Sequence, residues 1–406
     1  VAQRLAYLCD QYPAISHTFV MREIEALRRL GAEIETISIR RSDPDHLKAA
    51  GDRREFETTY AVLPVGVAKL LRVHLMALAR HPRRYLTTLL WALRASRGSA
   101  RGRLWQLFYF AEAVLVWDRL RRVGISHVHA HFTSPAADVA MIVARFGRGW
   151  SYSFSAHGTD IQTSDQGLLA EKVRNARFVV CVSDFGRSQL MALVGDEHWP
   201  KIHVVRCGIE LAEFDRRLDG SRPPGPLQIL NVGRLHPVKG QAVLLEAFAH
   251  LLETGVDARL TIVGDGERRE ALHQRAAELG VADRVTFTGS VGQDDIRAFY
   301  ERADVFCLPS FGEGIPVVLM EAMAMRVAVV SSRIMGIPEL VEDEVGGLLV
   351  PPGRPDLLAA ALRRMGHDPD LRERLTRQAH DKVAADHDGA RAAEQLHELF
   401  ASAAER

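Results

Sequence analysis

From end to end the chain alternates short apolar runs with amphipathic stretches of helical period, which predicts strands of a parallel sheet joined by helices. The strand candidates of the first half are RLAYLC, IETISI, HVHAHF, SYSFSA, FVVCVS and IHVVR. Those of the second half are LQILNVG, RLTIVG, RVTFTG, DVFCLP and VAVVSS. Most are apolar throughout rather than alternating, as expected of strands covered on both faces. Between the two sets, residues 221–226 (SRPPGP) can continue neither helix nor strand and mark a domain boundary. The expected fold class is α/β, with two Rossmann-like doubly wound domains over residues 1–220 and 226–385. A terminal helix over residues 386–406 is expected to return to the first domain. Two such domains facing across a cleft would bring strand C-terminal ends and helix N-termini around one ligand.

Residues 69–122 interrupt the alternation with helical stretches carrying Trp91, Trp105, Phe108, Tyr109, Phe110 and Trp117. Twelve Lys and Arg side chains fall here against only Glu112 and Asp118. Two readings stand side by side. The segment is either a surface for an anionic membrane, or a helical subdomain with core aromatics and solvated arginines.

Composition narrows the class. At 406 residues, 47% apolar and 25% charged, the chain has room for two sizeable cores. Its 52 Lys and Arg balance 51 Asp and Glu, which argues against a nucleic-acid partner. Cys9, Cys181, Cys207 and Cys307 form no CxxC pair, and no apolar run is long enough to span a bilayer. The first residues read as a core strand and not a signal peptide, so a cytoplasmic location is expected, with the inner face of the plasma membrane as a docking surface if the basic segment serves as one.

The chemistry concentrates in residues 304–342, DVFCLPSFGEGIPVVLMEAMAMRVAVVSSRIMGIPELVE, which reads strand, loop, helix, strand, turn. Pro316 suits the first helical turn. The loop ahead of it feeds a helix N-terminus able to face an anion. Glu313 in the loop and Glu321 on the helix, seven residues intervening, offer carboxylates for several hydroxyls. A second string, NVGRLHPVKG (residues 231–240), follows the first strand of the second half. There Gly233 lets backbone approach a ligand, and Arg234 and Lys239 supply cations suited to a diphosphate. In the first half, SAHGTDI (residues 155–161) places His157 just after a strand. His127, His129 and His131 share one strand face, but with no carboxylate or Cys evident nearby a metal is not expected. In the first loop, YPAISHTF (residues 12–19), Ser16 and Thr18 are equally plausible as helix N-caps or as ligand contacts.

The 304–342 string resembles the signature of the retaining, GT-B-type glycosyltransferases of family 4, and residues 231–240 are similar to that family's diphosphate site. HVHAHF and SAHGTDI resemble the first domain of its polysaccharide-assembly members. The first loop resembles a Pro-x-x-Ser-Glu-Thr-Phe word of that subgroup, with His17 where Glu is usual. The likeness spans nearly the whole chain and is weakest over residues 42–122. Arg326, Ala328 and Met335 depart from the usual Gly, Pro and Gly, and RCGIE (residues 206–210) stands where PNGVD is commoner.

The resemblance implies transfer of a sugar from a nucleoside diphosphate donor, UDP or GDP, to a saccharide or lipid-linked acceptor. It implies retention of configuration and neither metal nor other cofactor. Glu313, Gly314, Ile315, Pro316 and His157 would hold the donor sugar, with Glu313 and His157 as catalytic residues. Arg234, Lys239 and Gly233 would hold the diphosphate, Glu321 the ribose, while Ser16, His17 and Thr18 would form a donor or acceptor loop. A nucleotide-sugar epimerase, or a non-catalytic nucleotide-sugar-binding protein, is the rival reading.

Overall fold

The computed structural model describes residues 3–14, 18–47, 49–95, 100–133, 135–214 and 225–404. The chain divides into two compact units, Val1–Val205 with Ala393–Arg406, and Arg206–Ala392.

The first unit carries a parallel sheet of β1 (Arg4–Gln11), β2 (Glu33–Arg40), β3 (Tyr60–Leu63), β4 (His127–His131), β5 (Ser151–Ala156), β6 (Val179–Cys181) and β7 (Ile202–Val204). Their spatial order is β3-β2-β1-β4-β5-β6-β7, so the order reverses between β1 and β4. Five consecutive residues of β1, Leu5 to Cys9, are buried, the mark of a strand covered on both faces. Helix Thr18–Arg29 follows β1, ends on Arg28 and Arg29, and is stopped by Gly31 at φ +90°. Between β3 and β4 lie three mutually packed helices, Val67–Arg80, Pro82–Ala95 and Ala100–Val123.

The second unit repeats the plan with β8 (Leu227–Val232), β9 (Ala258–Val263), β10 (Val285–Gly289), β11 (Val305–Leu308), β12 (Ala328–Ser332) and β13 (Leu348–Val350). Their order β10-β9-β8-β11-β12-β13 is that of a dinucleotide-binding sheet, reversing between β8 and β11. The apolar runs of the sequence lie on eleven of these strands; β3 and β13 were not anticipated.

The division at Val205 precedes the boundary expected from the Pro/Gly run, of which residues 221–224 lie outside the described residues. Backbone pairing explains it. Ile209 bridges Asp388, and the Cys207 carbonyl accepts from His387 Nδ1 at 3.0 Å. A Cβ on Gly208 would sit 2.3 Å from the Gly389 nitrogen. Residues 206–214 and 387–389 are thereby held together in the second unit. Helix Gly389–Ala404 then carries its buried edge of Ala393, Leu396 and Phe400 onto the first. There Phe400 meets Tyr7, His127, His129 and Phe178, with ring centroids 5.1–6.3 Å apart.

Candidate active site

In the second unit the loops after β8 and β11 flank the point where strand order reverses, and they are tied to each other. The Phe311 N–H donates to the Val238 carbonyl at 2.7 Å. Gly240, at φ +68°, packs so closely that a Cβ there would lie 2.1 Å from the Pro309 carbonyl oxygen. Only glycine fits that position, which both ends a 3-10 turn over Pro237–Lys239 and caps helix Gln241–Glu253. Gly264 likewise packs onto the Gly233 carbonyl, where a Cβ would come within 2.0 Å.

This framework places Lys239 Nζ 2.6 Å from Glu313 Oε1, an oxygen that also accepts from Ser310 Oγ at 2.7 Å. The sequence treated Lys239 and Glu313 as contacts to different parts of a ligand; the fold makes them an ion pair, with both side chains largely buried. Arg234 is exposed, and among the described residues its guanidinium has no hydrogen bond or ion pair. Gly314 and Ile315 are buried beside the close-packed Gly336, whose Cβ would lie 2.2 Å from the Gly314 carbonyl oxygen.

Two details differ from the sequence reading. Pro316 is the N-cap, at φ −75° and ψ 119°, and the helix proper spans Val317–Ala324. Glu321 is therefore little more than one turn in, and it is 2% exposed. The Tyr300 hydroxyl donates to its Oε2 at 2.9 Å. Tyr300 was not anticipated; nothing near residue 300 in the sequence points to residue 321.

In the first unit His157 follows β5. Its backbone N–H donates to Asp160 Oδ1 at 2.9 Å, and Asp160 Oδ2 accepts from the Thr133 N–H at 3.0 Å. Phe19 and Phe132 lie against the ring, their centroids 4.8 and 4.7 Å away and 6.2 Å from each other. Thr18 is buried at the start of its helix, whereas Ser16 and His17 lie outside the described residues.

The three histidines of β4 form a ladder against the serines of β5. His127 contacts Ser151 Oγ and Ser153 Oγ at 2.8 and 2.9 Å, and His129 contacts Ser153 Oγ and Ser155 Oγ at the same distances. Burial pushes His127 down to about 4 and His129 well below the usual histidine range, so both rings are neutral. The expectation that no carboxylate lies near this face is corrected: Glu23 Oε1 is 3.2 Å from His131 Nε2. Glu23, His129 and His131 have ligand atoms within 4.8 Å of one another. Both ring nitrogens of His129 are, however, engaged by serine hydroxyls, which fits a hydrogen-bonded packing better than a metal ligand.

Comparison with known proteins bears on the fold and the family. A family model for "Glycosyl transferases group 1" matches residues 215–382, and one for "Glycosyltransferase Family 4" matches residues 16–213. A protein named for colanic acid biosynthesis, the glycosyltransferase WcaL of Escherichia coli (strain K12), is 31% identical, covering 94% of this chain and 96% of its own. The amylovoran biosynthesis glycosyltransferase AmsK of Erwinia amylovora is 29% identical, covering 89% and 90%. Among solved structures, Anabaena Alr3699/HepE in complex with UDP and glucose aligns with a TM-score of 0.73 at 18% identity, over 98% of this chain and all of that one. Sucrose-phosphate synthase from Thermosynechococcus elongatus gives the same score at 20% identity, over 98% of each.

Proposed function

The chain belongs to the family 4 glycosyltransferases, and from that premise we propose that it transfers a sugar, with retention of configuration, from a nucleoside diphosphate donor held by residues 233–240 and 309–321. The observation that carries this reading is the Lys239–Glu313 ion pair at the strand-order reversal of the second sheet, with Arg234 in the same loop after β8 as Lys239. Arg234 and Lys239 stabilise the diphosphate as it leaves with the bonding electrons, an electrostatic task that needs no proton from the protein. Glu313 holds donor-sugar hydroxyls beside Gly314, Ile315 and Pro316, and Glu321 accepts from the ribose. The family resemblance assigns His157 to the donor sugar, and Thr18 with Ser16 and His17 to a donor or acceptor loop. The donor's own phosphate oxygen receives the acceptor proton. Relatives named for colanic acid and amylovoran synthesis support a saccharide acceptor in polysaccharide assembly. The UDP-bound structural relative favours UDP over GDP.

Calorimetry with UDP and GDP tests the site. Arg234→Ala should weaken the diphosphate at least about tenfold, one charge-assisted bond being worth roughly 1.5–3 kcal/mol. Glu321→Ala should weaken UDP but add little to the loss already suffered by 2′,3′-dideoxy-UDP. Unchanged affinity in Arg234→Ala removes that residue from the diphosphate site, and a lowered apo melting temperature with unchanged UDP affinity makes Glu321 structural.

An anionic membrane surface, with a lipid-linked acceptor, has its own support. Phe110 and Trp117 are core, but Leu71, Leu75, Leu86, Leu90, Leu104, Trp105, Leu107 and Phe108 are all exposed. Lys69, Arg72, Arg80, Arg83, Arg94, Arg101 and Arg103 are exposed on the same three helices. Arg119, Arg121 and Arg122 instead pair with Glu35 and Asp118, so the uncompensated charge lies toward residues 69–103. Apolar side chains among cations suit the headgroup boundary. No helix among the described residues is long and apolar enough to cross a membrane. Sedimentation with phosphatidylglycerol against phosphatidylcholine vesicles should show binding to the former alone; equal weak binding to both ends the membrane proposal.

A further inference from the structure

At the edge of the first sheet opposite His157 lies a cavity of about 440 Å³, walled in part by Trp91, Arg145, Trp150, Arg177 and Lys201. Arg177 and Lys201 lie just ahead of β6 and β7, whereas His157 follows β5 at the other end of these parallel strands. All of these residues belong to the first unit. Trp150 packs on Gly147, where a Cβ would come 2.4 Å from its Cγ, so the indole is held in place. Trp150 and Lys201 are half-buried and Arg145 is exposed, which leaves the cavity open to solution.

Each cation of the wall is fixed by a neutral group. The Arg145 guanidinium lies over the Trp91 ring, 4.5 Å from its centroid. Arg177 Nε and Nη2 donate to the Ala403 carbonyl at 3.1 and 2.8 Å, and Lys201 Nζ donates to the Arg174 and Ala176 carbonyls at 2.6 and 3.0 Å. Among the described residues the wall holds no carboxylate. Asp138 and Glu171, whose charges reach Tyr152 in the wall, pair instead with Lys172 and Arg174. Helices Pro82–Ala95, Ala136–Phe146, Gln166–Asn175 and Gly389–Ala404 end beside the cavity, so their carbonyl ends answer part of the positive charge. At about half a charge each, they offset no more than about two of the three cations. Positive charge is left over, and burial already pulls Lys201 below the usual lysine range, a shift that a bound anion would reverse.

We propose that this cavity is a second, non-catalytic saccharide site that takes an acidic sugar, its carboxylate against Arg145, Arg177 and Lys201 and the C–H face of its ring on Trp150. The saccharide rests on the proposed function; the excess of positive charge does not. The cavity's size and its aromatic wall decide against a bare ion, which would leave the indole in water. A volume of about 440 Å³ falls among small-molecule pockets, which run from about 300 to 1,000 Å³. Arginine, lysine and the indole N–H only donate, and the ring, hydroxyl and carboxylate oxygens of a uronic acid supply acceptors for them.

The test is titration of the full-length protein, ¹⁵N-labelled at tryptophan, read from its indole proton–nitrogen correlations. The Trp91 and Trp150 signals are assigned by their loss in Trp91→Phe and Trp150→Phe. Methyl glucuronoside should move both signals saturably, and methyl glucoside, which lacks the charge, should bind at least about fivefold more weakly. Arg145→Met, which keeps an aliphatic contact with Trp91 and drops the charge, should weaken the glucuronoside about two- to fivefold. Lys201→Gln, whose amide still donates to the two carbonyls, should do the same. Arg145 is exposed, so its variant decides alone if Lys201→Gln fails to fold. Equal binding of the two glycosides overturns the proposal, as do indole signals that never move or an unchanged affinity in Arg145→Met. Inorganic phosphate or glycerol 1-phosphate binding as tightly as the glucuronoside overturns the saccharide in favour of a plain anion or a lipid headgroup. Saturating UDP should leave the glucuronoside titration unchanged; displacement by UDP overturns a separate site. The Arg234→Ala titration judges the diphosphate site independently of all these outcomes.

Discussion

The 2.6 Å contact between Lys239 and Glu313 couples a cation read for the diphosphate to a carboxylate read for the sugar. Neither side chain can be altered without changing the other's surroundings. Lys239→Ala leaves Glu313 Oε1 with the Ser310 hydroxyl as its one side-chain donor among the described residues, and a mostly buried carboxylate deprived of its cation is costly. We expect a stability loss on the order of 1–3 kcal/mol, as for other buried groups left unsatisfied, together with weakened diphosphate binding. Glu313→Gln retains an oxygen that accepts from both Lys239 and Ser310. It should therefore keep its melting temperature and most nucleotide affinity, while turnover falls about 10²–10³-fold, as when one donor is lost from an oxyanion site. Combining Lys239→Ala with Glu313→Gln should recover part of the stability lost in Lys239→Ala alone. Additive losses in thermal melts of the four proteins would show that the pair is not coupled.

At the scale of elements, the interior of both sheets was legible because buried parallel strands read as unbroken apolar runs. The two strands that escaped are edges. YAVL of β3 has one fully buried residue, and LLV of β13 is three residues long, so neither carries a run that stands out from a helix or loop. The strings around Gly233 and Glu313 were legible as strand–loop–helix units because each is continuous in sequence. Their joining through Lys239 depends on which strands are neighbours, which no local pattern records. The same holds for Glu23, more than a hundred residues before His131, and for Tyr300 under Glu321. The histidine–serine ladder needs the register of β4 against β5, in which His127 pairs with Ser151 and His129 with Ser153. That ladder sets a pH dependence. Folding depresses His127 from 6.5 to about 4, first through burial and then through Arg177, and depresses His129 in the same direction. Below the unfolded value the denatured chain takes up protons that the ladder refuses, so stability falls as pH drops from 6.5 toward 4. Each histidine adds a slope of up to about 1.4 kcal/mol per pH unit. Urea unfolding across this window should show the decline, and His127→Gln should make it shallower. An unchanged slope in that variant would mean the ladder protonates as readily as the unfolded chain.

On the scale of the whole molecule, the chain passes from the first unit to the second at Val205 and back at Ala392. The first unit is thus closed by residues from both ends of the sequence. Its last helix is fastened as well as packed: Gln3 Nε2 donates to the His397 carbonyl at 2.9 Å, and the Arg177 guanidinium donates to the Ala403 carbonyl at 2.8 Å. Phe400 covers His127 and His129, so it also keeps water from the ladder whose neutrality depends on burial. Removing residues 393–406 would uncover Phe178 and both histidines and forfeit the burial of Leu396 and Phe400, each worth about 1.5–3 kcal/mol. The second unit retains its own sheet, its Lys239–Glu313 pair and the Ile209–Asp388 bridge without that helix. Truncation after Ala392 should accordingly split thermal unfolding into two steps. The earlier step belongs to the first unit, and UDP raises only the later one, as mass action requires of a ligand bound to a unit still folded. The histidine ladder in the truncated protein should also titrate closer to 6.5 by NMR. A single cooperative transition, with UDP affinity lost along with the helix, would show instead that the second unit cannot hold its fold without the first.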